Sequence, residues 1–361
     1  MSNIPQNVLD KLESNLHNLP FHPICLIKER IYKYFDTFGL KFSKFDDLSH
    51  FTSTEDNFDL LLIPKDHPSR SRSDTYYVND QTVLRTHASC HQNQLLSQGE
   101  ERFLVTGDVY RKDEIDKYHF PVFHQMEGVC ILDNDIDPSE DLKRTLTGLV
   151  NYLFPRKQYR FNDDYFPFTN PSYEVEVLLN DKWVEILGCG VIQQKILDRN
   201  NIKGNGWAFG LGLERLAMIF YNIPDIRLFW TSDKRFMNQF ENHSYDDVIT
   251  FIEYPKINSV CKDISFWVKD DNVTIDNGKW KWDLQNDFYD EVRNCFNDNI
   301  ESLELFDQFF HQKKNRFSQS WHLTLNPSNE MNNPAEFNAQ CNEQLELLRT
   351  RLQAMLNLEL R

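Results

Sequence analysis

The chain has 361 residues, room for two domains of about 100 to 200 residues each, and 55 acidic side chains against 39 lysines and arginines give it a net charge of -16. That charge excludes affinity for nucleic acid through bulk phosphate neutralisation, though not a partner held on a local basic surface. Seven widely spaced cysteines with no C-x-x-C pair form neither a disulfide framework nor a cysteine zinc site, and no apolar run is long enough to span a bilayer.

Residues 1–16 set Asp10 and Glu13 against one cation, Lys11, so they do not form an Arg-rich transit peptide. Import into an organelle would then need a leader outside this chain or an atypical signal. The spacing of Ile24, Ile27, Ile31 and Phe35 predicts a packing helix over 22–39, opened by Pro23 and closed by Gly39. A polar stretch, DHPSRSRSD at 66–74, sets Arg70 and Arg72 between serines. It suits a grip on phosphate or an RNA end, and equally a solvated loop. In LRTHASCHQ (84–92), after a short strand, His87, Ser89, His91 and Gln92, with Cys90 among them, gather at the opening of a helix. Free backbone N–H groups point outwards there, so the grouping suits a small polar ligand and specifies no general base.

Two β-leaning runs, 103–110 and 122–132, flank the turn formers of GDVYRKDEIDKYHFPVFHQMEG (107–128). This predicts an antiparallel hairpin joined by a polar loop. It offers Arg111 for an α-phosphate, Phe123 for a purine face and Glu127 for an ammonium, with Gln125 and Met126 beside them. Taken alone, a solvated charged hairpin reads as well. A surface helix is predicted over 141–153. YFPFTNPSYEVEV from Tyr165 and KWVEILGCGVI from Lys182 then read as strands. In an extended segment Phe166 and Phe168 share a side, Pro167 marks an edge, and the pair lines either an aromatic pocket or the core. Glu174, Glu176 and Glu185 alternate with apolar residues, which puts carboxylates on one sheet face where they need cations or a metal. In GWAFGLGLERLAMIF (206–220) close-set glycines let the backbone approach a ligand. Leu213, Leu216, Ala217 and Phe220 follow as a helical stripe, with Arg215 off it. Neither a Walker loop nor a G-x-G-x-x-G fingerprint is present, so a bound triphosphate would fall to Arg111, Arg215 and magnesium.

Residues 221–254 read as a connector. Beyond it the pattern is β (264–268), α (287–296), β (300–307), β (319–326), α (334–355), β (356–361), from alternation at Trp321, Leu323 and Leu325 and helical spacing at Leu345, Leu348, Leu352 and Met355. This is the split βαβ, ferredoxin-like order, which hosts many functions. Lys313, Lys314 and Arg316, before its third strand, are its densest cationic cluster, an RNA contact or a solvated loop.

Together the hairpin, the YFPFTNPSYEVEV run and GWAFGLGLERLAMI resemble the class II aminoacyl-tRNA synthetases, and within them the phenylalanyl-tRNA synthetases. The hairpin is similar to the second motif of that class and the glycine-rich stretch to the third. The last hundred or so residues, with DISFW from Asp263 and the closing LELR, resemble a ferredoxin-fold anticodon-binding domain. Both on one chain resemble the single-chain mitochondrial type. The resemblance implies an α+β fold: a catalytic domain at 1–220 with an antiparallel sheet flanked by helices, a linker at 221–254 and an anticodon-binding domain at 255–361. It implies a ligase that joins phenylalanine to ATP as an adenylate, with Mg2+, and charges tRNA(Phe). By the same resemblance Arg111 binds the α-phosphate, Phe123 stacks on adenine and Arg215 holds the γ-phosphate. His87, Ser89, Gln125 and Glu127 hold the amino and carboxylate groups, with Cys90, His91, Gln92, Met126 and Glu185 in the substrate-binding set. Phe166 and Phe168 meet the substrate ring edge to face, Phe209 and Gly210 shape the pocket, and Tyr118, His119 and Phe120 lie near ATP and the tRNA end. Arg70, Arg72, Lys313, Lys314 and Arg316 are expected RNA contacts. A monomer in the mitochondrial matrix is implied, the cytoplasm remaining open because no presequence is visible. Two other readings are an inactive paralogue that binds RNA, against which Arg111, Glu127 and Arg215 are all retained, and a C-terminal small-molecule module.

Overall fold

The computed structural model describes residues 2–37, 41–253, 258–269, 272–276, 279–327, 331 and 333–361. A seven-stranded sheet is built from β1 (Ser43–Phe45), β5 (Arg102–Tyr110), β6 (Val122–Leu132), β7 (Tyr159–Asp164), β8 (Thr169–Leu179), β9 (Lys182–Ile192) and β10 (Asn205–Gly212), in the order β1-β5-β6-β10-β9-β8-β7. Only β1 and β5 run parallel; the other neighbours are antiparallel. A small sheet of β2 (Phe51–Ser53), β3 (Tyr77–Asn79) and β4 (Thr82–Leu84) lies before the hairpin in the chain. The expected hairpin is β5 and β6, with Asp108 opposite His124 and Val105 opposite Glu127.

Helices cover the sheet where apolar stripes require it. Helix Pro23–Asp36 buries Ile24, Ile27, Ile31 and Phe35, and His22 caps it by accepting the Ile24 N–H. It ends at Asp36 with Thr37 as its cap; Gly39 lies outside the described residues. Helix Pro138–Leu153 starts three residues earlier than the spacing suggests, because Asp137 accepts the N–H groups of Ser139 and Glu140. Its Asp141 accepts the Trp207 indole N–H at 2.8 Å, which ties the helix to β10.

Within the expected connector at 221–254, the described residues 221–253 are a correction to that reading. Tyr221, Phe229, Phe236, Phe240 and Phe251 are buried in the same cluster as Phe35 and Trp207. Rings of this size gain too much from leaving water to serve as a solvated spacer.

The second sheet has the order β14-β15-β11-β16, from β11 (Val260–Val268), β14 (Ile300–His311), β15 (Arg316–Leu325) and β16 (Glu359–Leu360). Phe288 and Val292 of helix Gln285–Phe296 and Leu345 and Leu348 of helix Pro334–Met355 pack with Phe266, Trp321 and Leu323 in a second core. The first three of these strands are longer than expected and β16 is shorter. A hairpin of β12 (Val273–Asp276) and β13 (Lys279–Trp282) was not anticipated. Trp282 secures it by packing 5.2 Å from Phe266 and 5.8 Å from Phe288.

The two bodies meet at the loop of the β5–β6 hairpin. Ile115 joins the second core, and Arg293 donates to the carbonyls of Asp113 at 2.6 Å and Glu114 at 2.7 Å. Lys112 Nζ sits 2.7 Å from Asp287 and 3.3 Å from Asp290. No helix among the described residues is long and apolar enough to cross a membrane.

Candidate active site

A cavity of about 560 Å³ opens between the hairpin, β9, β10 and the loops around Ser69, His87 and Phe166. Glu127 reaches it from β6. Its side chain is buried, one oxygen has no partner, and burial pushes its carboxyl up to about 8, with the Ser89 hydroxyl opposing. A buried carboxylate without a cation is costly, so the geometry asks for a positive ligand group. Beside it, His87 donates from Nε2 to the Asn57 carbonyl at 3.1 Å and leaves Nδ1 bare. Burial first, then the nearby Arg111 charge, pushes this imidazole down to about 3, so it is neutral near pH 7. Gln125 accepts the Ala88 N–H at 3.3 Å, which fixes the turn that presents Ser89.

The aromatic wall forms differently from the expected strand. Phe166 and Phe168 lie in the turn between β7 and β8, and their rings stack at 5.9 Å with planes 15° apart. A Pro-containing turn brings them together because Gly188 leaves the space: a Cβ there would stand 2.8 Å from Phe166 Cζ. Phe209 lines the cavity and packs flat on Phe35, 5.6 Å away. Open space faces Gly210.

Arg111 and Glu185 line this cavity, whereas Phe123 and Arg215 lie outside its lining. Arg111 donates from Nε to the Thr86 carbonyl at 2.7 Å and lies 5.2 Å over the Phe123 ring. One face of the ring expected to receive a purine is thus already covered by a guanidinium. Arg215 is half exposed and reaches the carbonyl and carboxylate of Glu185 at 3.2 and 3.3 Å; Glu185 lines the cavity. Glu176 pairs with Arg160 at 2.6 Å, so two of the three strand carboxylates find cations, while Glu174 accepts from the Asn162 amide at 3.0 Å.

Several expected residues point elsewhere. Cys90, His91 and Gln92 are buried off the cavity wall, because the helical turn at Ala88–His91 rotates successive side chains away from Ser89. Burial pushes the Cys90 thiol up to about 12, and His91 contacts Arg85 at 3.0 Å. Phe120 stacks on Trp230 at 5.6 Å, Tyr118 is exposed, and His119 pairs with Asp116 at 2.8 Å. Of the two arginines between serines, Arg70 is held by Asp59 at 2.6 Å and by two carbonyls, and Arg72 by Asp80 at 2.6 Å. In the second body Lys314, Arg316 and Arg361 lie 4.8, 5.2 and 5.7 Å from the Trp267 ring, while Lys313 is exposed. Cavity residues absent from the expectation include Asp74, Thr86, Gly188, Cys189 and Ala208. The glycines of KWVEILGCGVI were the available signal for the β9 pair; Asp74 and Thr86 arrive by loop closure and leave none.

Sequence likeness agrees with this geometry. The family described as tRNA synthetases class II core domain (F) matches residues 9–240, so the sheet, hairpin and cavity are the core of a class II aminoacyl-tRNA synthetase. The chain is 44% identical over 372 residues to the chloroplastic/mitochondrial phenylalanine–tRNA ligase of Arabidopsis thaliana, covering 100% of this chain and 83% of that one. It is 42% identical to the mitochondrial phenylalanine–tRNA ligase of Mus musculus, covering 90% and 78%. Against that of Saccharomyces cerevisiae it is 32% identical, covering 93% and 88%. The chain belongs to the phenylalanine–tRNA ligases, in their single-chain mitochondrial form.

Proposed function

We propose that the cavity holds phenylalanine and ATP side by side and that this chain charges tRNA(Phe) in the mitochondrial matrix, acting as a monomer. The observation that carries this is the buried Glu127 carboxylate with a bare oxygen, set in a cavity whose other wall is Phe166, Phe168 and Phe209. It supports an amino acid whose ammonium meets Glu127 and whose aromatic side chain lies among rings. His87, Ser89 and Gln125 then serve its amino and carboxylate groups.

The carboxylate oxygen of phenylalanine attacks the α-phosphorus of ATP, the bond to the bridging oxygen breaks, and pyrophosphate leaves. Arg111 faces the α-phosphate, Arg215 the γ-phosphate, and adenine takes the free face of Phe123. A terminal ribose hydroxyl of tRNA then attacks the acyl carbon and AMP departs. Positioning and charge supply the rate, so no general base is assigned. The exposed carboxylate of Glu185 at the cavity edge suits Mg2+, which takes one or two carboxylates together with substrate phosphates and offsets their charge. The cations around Trp267 support a tRNA contact on the second body.

Amino-acid-dependent exchange of labelled pyrophosphate into ATP tests the site. Phenylalanine supports exchange, and Arg111→Ala lowers it by about a hundredfold to a thousandfold, the cost of one preorganised charge partner. Tyrosine supports exchange roughly 100-fold less well, because an apolar pocket rejects an added hydroxyl only modestly. Exchange with no amino acid, in folded protein with Mg2+, would return the reading to an inactive RNA-binding relative.

A further inference from the structure

Directly behind the substrate hairpin lies a second chemical cluster that the adenylation reaction does not use. His17 comes from the N-terminal segment, Asp108 from β5 and His124 from the facing position on β6. All three are buried, and one donor atom from each lies within 4.8 Å of the others. Each histidine also has a ring nitrogen without a hydrogen-bond partner, His17 Nδ1 and His124 Nε2, although His17 is 1% and His124 0% exposed. A bare buried ring nitrogen calls for an account.

The opposite ring nitrogens supply it. His17 Nε2 donates to the Asp46 carbonyl at 2.9 Å, and His124 Nδ1 donates to the Glu214 carboxylate at 2.6 Å. Each imidazole is thereby held in the tautomer that aims a lone pair inward, the arrangement found for histidines that bind metals, with a carbonyl or carboxylate behind each ring. Asp108 is held by the Tyr110 hydroxyl and by Arg85 at 3.5 Å, which leaves lone pairs free. Two imidazoles and one carboxylate favour a zinc-like ion over magnesium. Tetrahedral bonds of about 2.0–2.2 Å need the three groups to draw together modestly.

We propose that His17, His124 and Asp108 bind one divalent transition-metal ion of the zinc class, with water as fourth ligand, as a structural staple. The ion joins the N-terminal segment to both strands of the hairpin and, through Glu214, to helix Leu213–Tyr221. It lies across the sheet from Glu127 and takes no part in adenylation. Competing occupants are a buried water or a proton shared by the rings.

The test begins with the full chain purified without chelator and passed through gel filtration in metal-free buffer. Elemental analysis then reads about one zinc per chain, reconstitution with Co2+ gives the visible bands of a low-coordinate site, and a strong chelator lowers Tm. His17→Gln and Asp108→Asn each lose the ion. Zinc retained by a folded His17→Gln chain would place it elsewhere and overturn the proposal. So would wild-type protein with no metal whose Tm responds neither to chelator nor to added Zn2+, the result expected for water or a proton. The wild-type measurements decide even where a variant fails to fold.

Discussion

Glu127 stays protonated in the free enzyme until pH nears about 8, because burial raises its carboxyl that far and the Ser89 hydroxyl recovers only part of the cost. In the proposed complex the ammonium of phenylalanine meets the carboxylate, so binding there releases a proton. The Kd for phenylalanine should fall about tenfold per pH unit from pH 6 and level off near 8, measured by calorimetry. Glu127→Gln should remove this dependence and weaken binding by about 1.5–3 kcal/mol, the range for a hydrogen bond to a charged group. A pH-independent wild-type Kd would show that the ammonium is held elsewhere. The folded pKa lies above the unfolded value, so for the unliganded fold this group's contribution is present at acid pH and lost as pH rises towards 8.

At the scale of elements, the glycines of the paired strands do unequal work. A Cβ on Gly128 would meet Phe209 Cε1 at 2.1 Å, and Phe209 cannot withdraw because it is buried flat against Phe35. Gly128→Ala should therefore cost about 1–3 kcal/mol of stability, as overpacking does, seen as a lower denaturant midpoint. Gly188 differs: its missing Cβ faces the far tip of Phe166, a ring at the cavity wall with room to tilt. Gly188→Ala should leave Tm within a few degrees of wild type, a change of about 0.5 kcal/mol or less. It should raise KM for phenylalanine, and an unchanged KM would remove Phe166 from the ring pocket.

For the molecule as a whole, the two bodies share the hairpin loop. Lys112 is buried between Asp287 and Asp290, and burial raises the Asp290 carboxyl even with Lys112 and Arg293 pulling it down. Lys112→Met leaves that carboxylate only Arg293 at 3.6 Å and the Tyr76 hydroxyl at 3.0 Å, so it should cost less than the roughly 3–5 kcal/mol of a fully broken buried pair. Asp287 is a third exposed, which reduces its share. An aspartate whose folded pKa is raised favours low pH, so the variant should lose more stability at pH 8 than at pH 5. Urea midpoints at the two pH values check this, and equal losses would mean that Asp290 does not change protonation between them.

Local chemistry made much of this protein legible. Ile24 to Phe35 marked a helix, the runs around Pro121 a hairpin, and the apolar stripe from Leu213 to Phe220 another helix, since periodicity and turn residues act over a few positions. Glu127, His87, Ser89 and Phe209 could be singled out because motif and neighbours lie together in the chain. Burial and partnership were decided by residues far away. Asp59 pairs with Arg70, Phe240 and Phe251 draw the supposed connector into the first core, and the turn at Ala88–His91 sends Cys90 and His91 behind the wall. The hairpin's alternation announced two faces, but only the packed helix and N-terminal segment made one a cavity and the other a closed histidine cluster. The type of an element follows from contacts near in sequence, whereas the solvent it sees and the charge it meets follow from contacts distant in sequence, which only the fold brings together.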